Sequence, residues 1–71
     1  MSVLKTRIKE LRWKKQVQQA ELAKAVGVRR ETIVNLENGK YNPSLKLAMD
    51  IAKFFQLPVE AIFHFEEDED S

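Results

Sequence analysis

The sequence predicts a small all-α domain made of five helices. Apolar residues recur at helical spacing along four successive segments, and a fifth, shorter segment begins with a proline. Residues that end helices separate the segments: Gly27, Asn38-Gly39 and Asn42-Pro43. A chain of 71 residues has room for one domain with one core, which we place at residues 1–65.

The first helix is predicted to run from Val3 to Lys15. One face of it is apolar, at spacings of four and three residues: Leu4, Ile8 and Leu11. Trp13 points away from this face, where it is either incidental or part of a contact surface.

Two short helices are predicted next, at Gln19–Val26 and Arg30–Asn38. Their inward positions are apolar: Leu22, Ala23, Val26, Ile33 and Leu36. Gly27 ends the first of the two helices, because glycine adopts positive φ values without a steric penalty. Asn38 and Gly39 end the second in the same way.

A longer fourth helix is predicted at Leu45–Phe55. Pro43 keeps Asn42 out of the helical region, and Ser44 can cap the helix. The expected buried stripe is apolar at helical spacing: Leu45, Leu47, Ala48, Ile51, Ala52 and Phe55.

A short fifth helix is predicted at Pro58–Ile62, because proline suits the first helical position. Phe63, His64 and Phe65 then alternate as a short strand would. Its partner is either the segment near Val3 or the same segment of a second chain.

The net charge of +1 hides two regions of opposite charge. Residues 1–65 hold all 12 basic residues and six of the 11 acidic ones, so their net charge is +6. A basic body attracts polyanions by counterion release, although a solvated lysine-rich surface has the same composition. Residues 66–71 are expected to form an acidic, disordered, solubilising tail that could also repel DNA from one side.

The sequence lacks the residues that several classes of function require. The absence of cysteine excludes disulfides and thiolate metal sites, and a single histidine cannot build a zinc site. No nucleophile triad, phosphate loop or HExxH motif is present. The N-terminus has no long apolar run, which predicts a cytoplasmic protein without a membrane span. We therefore expect no enzyme, metal, cofactor or small-molecule ligand.

Residues 19–38 are the most informative stretch, because they predict two short helices joined by a tight turn. Basic and amide residues fall on the outward side of the second helix of this pair. That arrangement is typical of a helix that enters the major groove of DNA. Recognition is thus favoured over catalysis.

Five short motifs follow one another, and the distances between them along the chain are more informative than any motif alone: Gln19-Ala20-Glu21-Leu22-Ala23, Gly27-Val28, Thr32-Ile33, Leu36-Glu37-Asn38-Gly39 and Asn42-Pro43-Ser44. With them, residues 4–63 resemble the lambda-repressor-like, Cro-type helix-turn-helix family. The resemblance implies a five-helix, single-domain prokaryotic transcriptional regulator. Some members of that family carry a terminal strand pair and form homodimers.

The resemblance implies a set of base-reading residues on the third helix: Arg29, Arg30, Glu31, Thr32 and Asn35. Arginine can bind guanine through two hydrogen bonds, asparagine can bind adenine, and glutamate can accept from cytosine. Arg29 could reach a base or a phosphate, and Thr32 could instead cap the helix locally.

A second set is expected to contact phosphates: Gln18, Gln19, Asn38, Lys40, Tyr41 and Asn42. The first two lie at a helix N-terminus, which favours anions, and the others lie in the loop after the third helix. Tyr41 has a competing role in the core. Arg12 and Glu37 match a family salt bridge between the first and third helices.

The sequence departs from the usual family pattern at three positions. Gln18 replaces a serine or threonine cap, and Arg29 replaces the serine that commonly caps the third helix. Gln16 stands where a small turn-forming residue is frequent. These departures affect the operator sequence more than the fold.

The function favoured by the sequence is sequence-specific binding of double-stranded DNA by a homodimeric regulator, in the mode of a repressor. The operator is expected to be palindromic, with half-sites about 34 Å apart. The dimer surface is expected at apolar C-terminal residues, some of which the core also needs: Phe54, Leu57, Val59, Ile62, Phe63 and Phe65. The alternative is an antitoxin or adaptor that binds a partner protein, supported by Trp13 and the acidic tail.

Overall fold

The computed structural model describes residues 2–67, which form four α-helices and a two-stranded sheet around one core. The elements in chain order are β1 Ser2–Thr6, α1 Ile8–Lys15, α2 Gln19–Val26, α3 Arg30–Glu37, α4 Leu45–Phe55 and β2 Phe63–Glu67. A single 3₁₀ turn, Val59–Ala61, lies between α4 and β2. The prediction of five α-helices is therefore wrong, because four are present in the described residues, whereas the mostly helical architecture is confirmed and includes a short terminal strand pair.

The predicted first helix begins too early, because Ser2–Thr6 is a strand. Leu4 is buried, but as every second residue of a strand rather than as one turn of a helix. Its four-residue distance from Ile8 imitates helical periodicity. The hydroxyl of Thr6 accepts a hydrogen bond from the Ile8 N–H at 3.4 Å, where α1 begins.

The two strands pair antiparallel within the chain, which confirms the segment near Val3 as the partner of the C-terminal strand. Leu4 lies opposite Phe65, and Thr6 lies opposite Phe63. Glu66 and Glu67 belong to β2, so these two acids are not part of a disordered tail. The rest of the predicted tail, residues 68–71, lies outside the described residues.

The predicted fifth helix is only one 3₁₀ turn, which follows Pro58. The Ile62 N–H donates to the Val59 carbonyl at 2.9 Å, and the chain enters β2 at the next residue. Too few residues separate Pro58 from the sheet for an α-helix. The core contains all the fully buried large side chains: Ile8, Leu22, Ile33, Leu36, Ile51 and Ile62.

The bounds of α4 agree with the prediction, and Ser44 caps it by accepting from the Leu47 N–H at 3.1 Å. Leu45 was expected in the buried stripe, but its side chain is 75% exposed. With about 100° per residue, Leu45 lies roughly 90° from the centre of the buried stripe. The stripe instead contains Leu47, Ala48, Ile51, Ala52 and Phe55.

Left-handed residues end several of the helices. Gly27 and Gly39 have φ values of 76° and 71°, as predicted for helix-ending glycines. Gln16 and Gln56 take the same conformation, with φ values of 58° and 57°. Gln16 thus adopts a conformation that a small turn-forming residue would adopt more easily. In the described part of the chain, every helix is too short to cross a membrane.

Candidate nucleic-acid interface

Backbone hydrogen bonds hold the turn between α2 and α3 against the end of α2. The N–H groups of Gly27 and Val28 donate to the Lys24 and Ala23 carbonyls at 3.3 and 3.0 Å. Two fully buried side chains, Ile33 and Leu36, anchor one side of α3 in the core. The opposite side of α3 is therefore left on the surface.

The outer side of α3 carries the residues predicted to read bases. Arg29, Arg30 and Glu31 are exposed, whereas Thr32 and Asn35 are half-buried. Helical geometry places Glu31 and Asn35 opposite the buried side, one turn apart. Arg30 lies on the flank that faces α2. Thr32 lies on the opposite flank of α3 from Arg30, and the contacts of all five residues with bases stay a prediction.

Arg29 occupies the N-cap position of α3, with extended φ and ψ values of −79° and 152°. Its side chain forms no capping hydrogen bond with the described residues. The first turn of α3 therefore keeps N–H groups without a side-chain acceptor, and two cationic residues lie beside the positive end of its dipole. This arrangement favours an anion at the start of α3.

Arg12 of α1 and Glu37 of α3 form an ion pair with two contacts. Arg12 Nε lies 2.6 Å from Glu37 Oε2, and Arg12 Nη2 lies 3.1 Å from Glu37 Oε1. Arg12 Nη1 also donates to the Val17 carbonyl at 3.0 Å. The two side chains are only 9% and 6% exposed, so water barely screens the pair. The pair joins α3 to the rest of the domain.

Gln19 adds a third member to this network, because its Nε2 donates to Glu37 Oε1 at 3.1 Å. A carboxamide nitrogen has two N–H groups, so one remains available to a phosphate. The bond fixes the direction of the Gln19 amide. Sequence reasoning missed it, because nothing in the local pattern links two residues that are 18 positions apart.

A polar cleft lies where α2 begins, next to the start of α3. Five residues line it: Arg12, Gln18, Gln19, Ala20 and Arg30. The cleft combines the exposed guanidinium of Arg30 with two carboxamides at a helix N-terminus, which is a favourable environment for a phosphate, whereas the Arg12 guanidinium is already paired with Glu37. The sequence associated Arg30 with base reading alone, whereas the structure places it beside both glutamines predicted to contact phosphate.

The loop after α3 carries the other residues predicted to contact phosphate, and all of them are exposed: Asn38, Lys40, Tyr41 and Asn42. The Lys40 N–H donates to the Asn35 carbonyl at 2.9 Å, which holds the loop against the end of α3. Tyr41 is 41% exposed and lies outside the core, so the competing core role is not adopted.

The residues predicted to form a dimer surface are mostly used by the domain itself. Ile62 is completely buried in the core, which corrects its assignment to an interface, and Phe63 is buried with 8% of its surface exposed. Phe54, Leu57 and Val59 are partly buried and pack against the core. Phe65, the central residue of β2, is the one exposed member of the set, at 61%.

A small network of charged side chains at the start of α1, which includes the N-cap residue Arg7, lies apart from these residues. Arg7 Nη2 is 2.9 Å from Glu10 Oε2, and Lys14 Nζ is 3.3 Å from the same oxygen. The hydrogen bonds from Arg7 and then Lys14 lower the pKa of Glu10, and the bond to Glu10 raises the pKa of Arg7. These side chains are about half exposed, so the network adds little stability.

A helix-turn-helix unit whose second helix has an outward polar side is the architecture of a class of DNA-binding domains. Residues 8–62 match the model of the helix-turn-helix family. The chain belongs to this lambda-repressor-like family, whose members are DNA-binding transcriptional regulators.

Similar proteins carry related descriptions. An uncharacterized HTH-type transcriptional regulator of Archaeoglobus fulgidus is 64% identical over 66 residues, which cover 93% of each chain. The cryptic phage CTXphi transcriptional repressor RstR of Vibrio cholerae is 32% identical over 76% of this chain and 49% of its own. The restriction-modification controller protein C.AhdI of Aeromonas hydrophila superposes with a TM-score of 0.70 and is 30% identical, over 76% of this chain and 82% of its own.

Proposed function

We propose that this chain binds specific sequences of double-stranded DNA as a homodimer and represses transcription, with α3 in the major groove. The observation that carries the proposal is the division of α3 into two sides. Ile33 and Leu36 are fully buried, while Arg30, Glu31 and Asn35 lie away from that anchor. A helix held in this way can present its outer side chains to base edges without changing the fold.

The base-reading set combines donors and acceptors. Arg30 offers paired N–H groups for guanine, Asn35 offers a donor and an acceptor for adenine, and Glu31 accepts from cytosine. Arg29 and Thr32 flank these residues at the start of α3. Because the set includes three different chemistries, it supports discrimination among bases rather than general attraction to DNA.

The phosphate-contacting set lies on both sides of α3. Gln18 and Gln19 line the cleft at the start of α2, and Lys40, Tyr41 and Asn42 follow the end of α3. Contacts on both sides would fix the position of the helix in the groove. The net charge of +6 over residues 1–65 supplies the general attraction.

Two copies related by a two-fold axis would read two half-sites about one helical turn apart. The molecule measures 36 × 23 × 22 Å, so equivalent residues of two touching copies lie at distances of that order. Repression is supported by the likeness to the RstR repressor, which covers about half of the length of that protein.

Selection of bound duplexes from a random pool tests this function. The wild type should enrich a palindrome, and Asn35→Ala should lose preference at one base pair of each half-site. Lys53→Ala is the matched control, because Lys53 is an exposed residue of α4 outside the proposed contacts. Failure of the wild type to enrich any sequence at low salt would refute the proposal.

A second candidate function, binding of a partner protein, is favoured by Trp13. This side chain is 72% exposed and lines a shallow surface hollow with Lys9 and Lys14 of the same helix. If this surface binds the product of an adjacent gene, Trp13→Ala should abolish copurification of the two proteins. Unchanged copurification would exclude Trp13 from that role.

A further inference from the structure

An apolar groove lies between the sheet and the start of α4, and we name it the Leu45 groove. The sheet supplies one wall: Leu4, Phe63 and Phe65. The loop and helix supply the other: Pro43, Leu45 and Ala48. No charged side chain lines it in the part of the chain that the structure describes.

Large apolar side chains stand at the edge of this groove with most of their surface in water. Leu45 is 75% exposed and Phe65 is 61% exposed. Met49, one turn after Leu45 on α4, is 55% exposed. A single exposed leucine is ordinary, but a group of large apolar side chains beside an apolar groove is typical of a contact surface.

The residues that follow β2 in the sequence are not suited to fill this apolar groove. Residues 68–71 are three acids and a serine, and none of them has an apolar side chain to bury. An occupant that stabilises the groove must bring apolar surface and must avoid placing a charge inside it. A cationic or acidic segment does not meet these conditions.

We propose that the occupant is a second copy of this chain, bound through the Leu45 groove of each copy. A two-fold contact places the same patch on both sides, so a patch of like charges would repel itself. Residues 1–65 carry a net charge of +6, and the Leu45 groove offers contact without that repulsion. Leu45 and Phe65 line the groove and are largely exposed, so one patch supplies both the protruding side chains and the recess that receives them.

This inference rests on the proposed function and keeps part of the predicted dimer surface, because Val59, Phe63 and Phe65 line the Leu45 groove. Asn42 lines the Leu45 groove and also belongs to the loop proposed to contact phosphate. Pairing at this groove would bring the loops between α3 and α4 of the two copies to the interface. The interface and the spacing of the half-sites are then set by the same loop.

Sedimentation equilibrium of the wild type and of Leu45→Glu tests the interface. The wild type should dimerise, and Leu45→Glu should raise the dimer dissociation constant at least about 30-fold, as for other buried interface anchors. Trp13→Glu is the matched control, because Trp13 is a larger apolar residue with a similar exposed fraction. It should dimerise like the wild type. Circular dichroism checks that each variant is folded.

A second variant avoids the introduced charge. The chain has no cysteine, so Leu45→Cys and Trp13→Cys each carry a single thiol. Under mild oxidation Leu45→Cys should form a covalent dimer much faster than Trp13→Cys. Equal rates would overturn the proposed interface, as would a monomeric wild type or a Leu45→Glu variant that dimerises normally.

Binding to an isolated half-site separates this inference from the proposed function. Monomeric Leu45→Glu should keep the wild-type base preference on a duplex that carries one half-site, because its α3 is unchanged. If dimerisation follows the prediction while neither protein prefers any DNA sequence, the interface stands and the DNA-binding function fails. If Leu45→Glu dimerises normally and still reads DNA, only the interface is refuted.

Discussion

The guanidinium of Arg12 and the carboxylate of Glu37 meet in a nearly buried pair that ties α1 to α3, with contacts of 2.6 and 3.1 Å. We expect Glu37→Ala to lower the free energy of unfolding by about 3–5 kcal/mol, because it leaves the Arg12 charge buried without its partner. It also removes the acceptor of the Gln19 amide. Urea denaturation measures the loss.

The matched control for this substitution is Asp50→Ala, which removes the exposed pair with Lys46 on α4. Its cost should be no more than about 0.5 kcal/mol. A double substitution, Arg12→Met with Glu37→Leu, should recover part of the stability lost in Glu37→Ala, since neither charge is then stranded. Equal losses for Glu37→Ala and Asp50→Ala would contradict this account of the buried pair.

Gly39 and Gly27 share a left-handed conformation but differ in their surroundings. A Cβ at Gly39 would lie 2.9 Å from the Leu4 carbonyl oxygen, whereas a Cβ at Gly27 would meet nothing within 4 Å. Gly27→Ala should cost about 1–2 kcal/mol from backbone strain alone. Gly39→Ala should cost more, because β1 must also move. Thermal unfolding of both variants compares them, and equal midpoints would rule out the close approach.

Substitutions at the N-cap positions of α3 and α4 should change the stability of the domain in opposite directions. Arg29→Ser should stabilise the domain by about 1 kcal/mol, because serine can accept from the first turn of α3 where Arg29 does not. Ser44→Ala should cost a similar amount, since it removes the hydrogen bond from the Leu47 N–H. Chemical denaturation gives both values. A destabilised Arg29→Ser would show that α3 does not lack a cap.

Lys40 and Arg30 should respond differently to salt. Lys40→Ala should weaken binding to all DNA sequences and reduce the slope of log affinity against log salt by about one unit, as expected for a lost phosphate contact. Arg30→Ala should cost about 1–3 kcal/mol on the selected operator and relax the preference at one base position. Titrations at several salt concentrations measure both effects. Uniform weakening by Arg30→Ala would instead place Arg30 on a phosphate, in the cleft with Gln18 and Gln19.

Much of the fold could be predicted from the sequence because its local signals agree. Gly27 and Gly39 mark the ends of α2 and α3, and Ser44 marks the start of α4. The bounds of α2 and α4 follow from these residues and from apolar periodicity. The same signals placed Arg30, Glu31 and Asn35 on the outer side of α3.

The remaining features depend on contacts between distant residues. Leu4 satisfied the helical pattern by coincidence, and its place in a strand depends on pairing with Phe65. Leu45 is apolar at a plausible spacing, yet the direction of α4 leaves it in water. The bond between Gln19 and Glu37 forms only after α2 and α3 have packed together. Periodicity along the chain carries none of this information.

The central claim is that α3 reads bases in the major groove, and methylation interference on the selected operator tests it most directly. Guanine N7 lies in the major groove and adenine N3 lies in the minor groove. Methylation of guanine N7 within each half-site should block the wild type, and Arg30→Ala should become insensitive at one of those guanines. Interference confined to adenine N3 would contradict the claim, because α3 would then not enter the major groove.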